Sequence, residues 1–305
     1  MRTLKGQNFR ILIFDSAASK FRVIGMATSC TVNLTNNVED SSHKDVLGLA
    51  AMPVTTSKSW NVSVDSLSTA DCAALLTAIK DMQPVSLMWD ETSTADNQTA
   101  QAAAIQRVGK AYLSDLSLTF NDRENSAKSL QFTGTGPLEH DSTVPTEVIE
   151  IVNTFTKGQF VRLFLSNDNT AAPASVVAAA RSLSLHVSVS LEDATTKDTV
   201  GEWVVQEPTA INYDIITTSA LMRSDETITS QVTGKDVAAI EALYEAGTPV
   251  KWKIANVSGA NNRTASSTIV SGSVIMTQLT LNGPNRQNAD YTAQLNGYGD
   301  YTVAA

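Results

Sequence analysis

The chain has 305 residues, a length that suits two cores of about 150 residues each better than one. It carries 22 Lys+Arg against 31 Asp+Glu, a formal net charge of −9, and the acidic excess is shared: 12 against 17 over residues 1–150 and 10 against 14 over 151–305. Neither half is basic, which argues against a protein that grips nucleic acid through its phosphates, and no run reaches the roughly 18 apolar residues of a membrane span.

Charged residues make up 17% of the chain, below the roughly 25% usual for soluble domains, while Ser and Thr are abundant, as on sheet surfaces covered by neighbours. The N-terminal segment MRTLKGQNFRILIFD is too polar and too interrupted to read as a signal peptide. Lys5-Gly6-Gln7 opens a mostly apolar strand containing Arg10. Lys157-Gly158-Gln159 opens a similar one containing Arg162, so the chain begins twice. The next strand alternates cleanly, with Cys30, Val32 and Leu34 on one face and Thr31, Asn33 and Thr35 on the other. Its counterpart sets Leu183, Leu185 and Val187 against Ser184, His186 and Ser188. Period two predicts one buried and one polar face. Cys30 and Cys72 show no CxxC spacing and are expected to be buried free thiols.

A matched acidic segment follows, VEDSSHKD (Val38 to Asp45) against LEDATTKD (Leu191 to Asp198). It lacks the central glycine and ligand spacing of a calcium loop, so it reads as a salt-bridged turn or a protein contact loop. Glu39, Asp40, Lys44 and Asp45, with Glu192, Asp193, Lys197 and Asp198, are the candidate contact residues. The run SWNVSVDSL then alternates Trp60, Val62 and Val64 with Asn61, Ser63 and Asp65, and Asn212-Tyr213-Asp214-Ile215 is its weaker counterpart. About twelve extra residues near Met222 to Val232 enlarge the second copy.

The most distinct repeat is DCAALLTAIKDMQPVSLMW (Asp71 to Trp89) against DVAAIEALYEAGTPVKWKI (Asp236 to Ile254). Ser68 and Thr233 are placed to cap a helix with Asp71 and Asp236 at its third position. Cys72, Leu75 and Ile79 correspond to Val237, Ile240 and Tyr244 on one face. Pro84 and Pro249 are expected to end the helices and start a strand. GKAYLSDLSLTF from Gly109 matches GSVIMTQLTLNG from Gly272. FTGTG (Phe132 to Gly136) matches LNGYG (Leu295 to Gly299), with paired glycines suggesting an exit turn. These boundaries divide the chain into domain 1 (1–138), a linker (139–150, within PLEHDSTVP and its continuation) and domain 2 (151–305). Each half reads as α+β, predominantly antiparallel β, a sandwich or half-barrel with one flanking helix.

No catalytic motif is present: no Gly-x-Ser-x-Gly elbow, phosphate loop, zinc spacing or dinucleotide fingerprint. His43 lies in the acidic segment, His140 in the linker and His186 on a polar strand face, none with a partner suggested by the sequence. The chain therefore reads as a non-enzyme with no cofactor and no metal.

SWNVSVDSL leading into the capped helix, GKAYLSDLSLTF after a polar gap, and the closing QFTGTGPL resemble the major tail tube proteins of long-tailed bacteriophages over residues 5–138. The second copy repeats the pattern more loosely over 157–303. It departs where Trp60 becomes Tyr213 and FTGTGPL becomes LNGYGDY. The resemblance implies tandem tail-tube-like domains, a virion location after assembly in the host cytoplasm, and rings of six domains built from three chains. Such rings stack into a tube that encloses the tape measure protein and later conducts double-stranded DNA without specific binding. It further implies tail terminator and baseplate proteins as partners, and no membrane insertion. A duct for DNA should not hold phosphates, so carboxylates on a polar strand face, Asp65 and Asp115, are the candidate lumen-facing residues. A tandem β-domain adhesin or fibre module, and the inner tube of a phage-derived bacterial injection apparatus, are the alternative readings.

Overall fold

The computed structural model describes residues 6–15, 20–24, 27–42, 51–67, 72–92, 100–101, 106–140, 148–149, 156–177, 180–199, 201–221, 237–258 and 264–304. A 3₁₀ turn at Gly6–Asn8 leads into β1 (Phe9–Asp15), β2 (Lys20–Val23), β3 (Ala27–Asp40), β4 (Pro53–Leu67), helix α1 (Cys72–Lys80), β5 (Val85–Thr92), β6 (Ala100–Gln101), β7 (Arg107–Asn121), β8 (Ala127–Glu139) and β9 (Val148–Ile149). The order then recurs: a turn at Gly158–Phe160, β10 (Val161–Leu165), β11 (Ser175–Val176), β12 (Ser182–Asp193), β13 (Gln206–Leu221), helix α2 (Val237–Ala246), β14 (Val250–Val257), β15 (Ala265–Asn282), β16 (Asp290–Gly297) and β17 (Thr302–Val303). The protein is α+β and predominantly antiparallel β, with the two helices flanking the sheets.

The repetition holds at the level of single residue pairs. Adding 153 turns the Val32↔Val62 pair of β3 and β4 into the Leu185↔Ile215 pair of β12 and β13. The same shift carries the irregularity at Asn37/Val38 onto the one at Ser190/Leu191. Adding 163 turns Leu116↔Leu130 of β7 and β8 into Leu279↔Ala293 of β15 and β16, and the bulge at Leu113/Asp115 into the one at Met276/Gln278. A bulge reorients every side chain beyond it, so two bulges at matched positions mean that both copies turn the same residues toward the core.

Each half is a sandwich made by one long strand that serves two sheets. The first part of β7 pairs with β5, which pairs with β1, while most of its length pairs with β8. In the second half β15 does the same with β14 and β16. Trp60, Val62, Val64, Leu113, Leu130 and Phe132 face Ile11, Leu87 and Trp89 across the first core. One continuous apolar cluster joins this core to that of the second half. Tyr301, just before β17, reaches across to donate a hydrogen bond to the Leu76 carbonyl of α1 at 2.9 Å. The linker expected over 139–150 ends in contact: Val148 and Ile149 run parallel to Phe21 and Arg22 of β2.

The helices confirm their apolar stripes with one exchange. Cys72, Leu75, Leu76 and Ile79 are buried in α1, but in α2 Ile240 and Leu243 are buried while Tyr244, expected inside, is exposed. The stripe is rotated by one residue, which brings the smaller Leu243 under the sheet and turns the phenol to water. The helices also do not end at their prolines. Residues with positive φ, Met82 (49°) and Gly247 (58°), stop them two residues earlier, as left-handed C-terminal residues do. The expected caps, Ser68 with Asp71 and Thr233 with Asp236, and the insertion near Met222 to Val232, lie outside the described residues.

The glycines of FTGTG do not form an exit turn, because β8 runs on through them to Glu139. Gly134 instead supplies a bare patch on the strand for the buried Trp60 indole, where an added Cβ would sit 2.2 Å from a ring carbon. Gly297 does the same for Tyr213, with a Cβ at 2.5 Å from the ring. This is why the aromatic and the glycine recur together in both copies.

Candidate assembly surface

Eight strands line up into one antiparallel wall in the order β3-β4-β8-β7-β12-β13-β16-β15, with four strands from each half. The join at its centre is between β7 and β12, where Leu183, Leu185 and Val187 lie opposite Phe120, Leu118 and Leu116. All six side chains are buried.

The other face of the wall is polar. One row crosses it as Asp65, Ser129, Ser117, His186, Asp214 and Asn296, each directly opposite the next. Asp65 accepts hydrogen bonds from Ser129 Oγ at 2.7 Å and Ser29 Oγ at 2.8 Å. These hydroxyls, Ser129 first, hold its carboxyl below the usual carboxylate range. At the central join His186 sits between two carboxylates, with Nε2 at 2.6 Å from Asp115 Oδ2 and Nδ1 at 3.0 Å from Asp214 Oδ1. Partial burial lowers the imidazole pKa. The hydrogen bonds to Asp115 and then Asp214, with their charges, outweigh it and raise the pKa overall. An imidazole can donate to two acceptors only when doubly protonated, so the geometry favours the cation. Both ring nitrogens are engaged by carboxylates, and neither is left to take a proton from the neighbouring Ser117 or Ser188. The arrangement ties three strands together rather than activating a nucleophile.

The sequence placed Asp65 and Asp115 on polar strand faces, and the structure brings them to the same face of the same wall. It missed the partners of His186. The signal was present in the duplication: His186 and Asp214 occupy the positions of Asn33 and Asn61, whose side chains bond to each other at 2.9 Å. Asp115, 71 residues away in sequence, was not legible as the third member.

No protein-family model matches the chain, and no curated protein matches it. Among solved structures it is similar to a chain in the virion of a native gene transfer agent (GTA) particle, at 13% identity and a TM-score of 0.37, over 49% of this chain and 99% of that one. It is similar to a chain in the tail of an empty GTA particle with C6 symmetry, at 15% identity and a TM-score of 0.36, over 48% of this chain and 95% of that one. It is also similar to the SPP1 tail tube, at 16% identity and a TM-score of 0.35, over 46% of this chain and 82% of that one. These are virion and tail structures.

The predicted contact loops are partly strand. Glu39 and Asp40 end β3, and Glu192 and Asp193 end β12, so the two hairpins are longer than the alternation suggested. Lys44 and Asp45 lie outside the described residues. Lys197 and Asp198 are exposed in the turn beyond β12. That turn is closed by hydrogen bonds rather than an ion pair: Thr195 N–H donates to Asp193 Oδ1 at 2.9 Å and Thr196 N–H to Thr199 Oγ1 at 2.9 Å. The Thr195 hydroxyl and amide lower the Asp193 pKa, as the Ser42 hydroxyl and amide lower that of Asp40. The β12–β13 hairpin folds back on the first half. Lys58 N–H donates to the Glu202 carbonyl at 2.6 Å, Lys58 Nζ reaches Glu202 Oε2 at 2.7 Å, and Gly136 N–H donates to the Val204 carbonyl at 2.9 Å.

The two ends of the wall differ from its centre. Cys30, Val32 and Leu34 of β3 were expected to be buried like their counterparts in β12. Cys30 and Val32 are only half-buried, and Leu34 is 62% exposed where Val187 is 1%. At the far end Leu281 of β15 is 47% exposed where its counterpart Leu118 is 1%. The hairpin of β3 and β4 adds exposed Val38, Met52 and Val54. The apolar alternation is as expected, but among the described residues nothing covers Leu34 and Leu281 at the edges.

Proposed function

We propose that the chain is a structural subunit of a phage-type tail tube, three copies closing into a ring of six similar units and rings stacking into the tube. The observation that carries this reading is the duplicated wall ending in two apolar edges whose counterparts form a buried join. Unpaired strand edges promote association, and closure into a barrel removes them. The resemblance of SWNVSVDSL, GKAYLSDLSLTF and QFTGTGPL to the tail tube family supplies the six-unit ring. In this reading the polar face, with Asp65, Asp115 and Asp214, lines the channel. It repels phosphates during DNA passage and surrounds the tape measure protein before it. The hairpin ends at Glu39, Asp40, Glu192, Asp193, Lys197 and Asp198, together with the sequence-predicted Lys44 and Asp45, contact the next ring, and tail terminator and baseplate proteins cover the ends. The chain acts as a non-enzymatic virion component.

The test is negative-stain electron microscopy of the purified full chain over a range of concentration, with mass photometry at the dilute end. Trimers, rings or tubes with a central channel are expected. A chain that stays monomeric and forms no particle at high concentration would overturn the reading.

A further inference from the structure

The internal join serves as a template for a contact between chains. The β7·β12 pairing opposes His186 to Ser117, Leu185 to Leu118 and Val187 to Leu116. Applying the offsets of the duplication, 153 for β12 to β3 and 163 for β7 to β15, maps these pairs onto Asn33 with Thr280, Val32 with Leu281, and Leu34 with Leu279. The mapped apolar residues include Leu34 and Leu281, both exposed at the two ends of the wall. The hairpin packing maps too. Gly136 and Val204, joined by a backbone hydrogen bond, become Gly299 and Ala51, beside the exposed Tyr298 and Met52.

We infer that β15 of one chain pairs antiparallel with β3 of a second copy in this register, placing Thr280 opposite Asn33 and covering Leu281 with Val32. This rests on the tube reading above and adds to it the strands, the residues and the chemistry of the contact. That chemistry differs from the internal join. Asp115, His186 and Asp214 map onto Gln278, Asn33 and Asn61, so three ionisable groups are replaced by three amides. Asn33 already donates from Nδ2 to Asn61 Oδ1 at 2.9 Å, and Gln278 takes the diagonal position of Asp115 on the neighbouring strand. An amide presents both a donor and an acceptor, so the relay is satisfied without a charge. The occupant is a second copy in head-to-tail arrangement. The two edges are different surfaces, and a heterologous contact between them closes into a ring.

The experiment is disulfide mapping in the full chain carrying Cys30→Ser, with Asn33→Cys combined in turn with Gln278→Cys, Thr280→Cys or Asn282→Cys. Directly opposed residues in an antiparallel pair have Cα atoms about 4.5–5.5 Å apart, within disulfide reach, while pairs displaced by two residues lie farther, at about 7–8 Å. Under mild oxidation the Asn33/Thr280 pair is expected to give covalent dimers and trimers in high yield, several-fold above the displaced pairs. Assembly of each variant is checked by electron microscopy before oxidation. Tubes in which a displaced pair cross-links best, or none does, overturn the register and leave the tube reading standing. Absence of any assembly in the wild-type chain overturns the tube reading, and this inference with it.

Discussion

Leu118 and Leu281 occupy the same position in the two copies, one at the internal join and 1% exposed, the other at the free edge and 47% exposed. Truncating each to alanine should therefore cost free energy in different places. Leu118→Ala removes a fully packed side chain and leaves a cavity, a loss of about 2–5 kcal/mol from folding. With a denaturant slope of about 3 kcal/mol per molar urea, that lowers the unfolding midpoint by roughly 1 M. The shift should be the same at every protein concentration, because the contact is within one chain. Leu281→Ala removes a side chain already half in water, so dilute protein should lose no more than about 1 kcal/mol. Its main effect should be on association, where the residue becomes buried. The concentration needed for tubes to form should rise at least tenfold, about 1.4 kcal/mol per contact. The measurements are urea unfolding by circular dichroism at two protein concentrations and sedimentation of tubes across a dilution series. Equal midpoint losses for the two variants in dilute protein, or an unchanged assembly threshold for Leu281→Ala, would refute the equivalence of edge and join.

Gly134→Ala should destabilise the first half by about 1–3 kcal/mol, because the new methyl meets the Trp60 ring and neither strand can move freely; thermal melting checks this, and a neutral change would mean the indole has room. Arg10 and Asp90 form a buried pair through two parallel hydrogen bonds at 2.7 and 2.9 Å, so Asp90→Asn should cost about 3–5 kcal/mol in unfolding experiments, and a loss below 1 kcal/mol would show the arginine re-paired. The His186 pKa is raised on folding, so its contribution is fully present below the unfolded value near 6.5 and is lost as pH rises through the folded value. Unfolding midpoints of the wild type should fall over that window, and His186→Asn should flatten the slope by removing the group held between Asp115 and Asp214; an identical slope in the variant would refute the assignment.

Much of the fold was legible because it is local and doubled. The alternation at Trp60, Val62 and Val64 and the helical spacing at Cys72, Leu75 and Ile79 are short-range signals, and the second copy repeats them. What escaped was set by neighbours far along the chain. Leu34 and Val187 have the same local pattern, yet only pairing with β7 distinguishes a buried residue from an exposed one. Gly134 looked like a turn because glycine permits turns. Its role as space for Trp60 depends on β4 lying beside β8. Tyr244 was placed inside on spacing alone, and packing under the sheet favoured Leu243 by a rotation of one residue. The partnership of His186 with Asp115 and Asp214 depends on three strands meeting, which spacing along one strand does not report.

In the ring proposed above, the covalent link between the halves changes what closure costs. With two units on one chain, every second joint is made at the effective concentration set by a short tether rather than by diffusion, and only the remaining joints carry the translational and rotational entropy of association. That division of labour explains why the two joints need not share a chemistry. A joint held by the tether tolerates a charged triad whose strength varies with acidity. In that proposal, the joint that must find its partner in solution is made by amides, which carry no titrating charge and recognise one another equally well at any ordinary acidity.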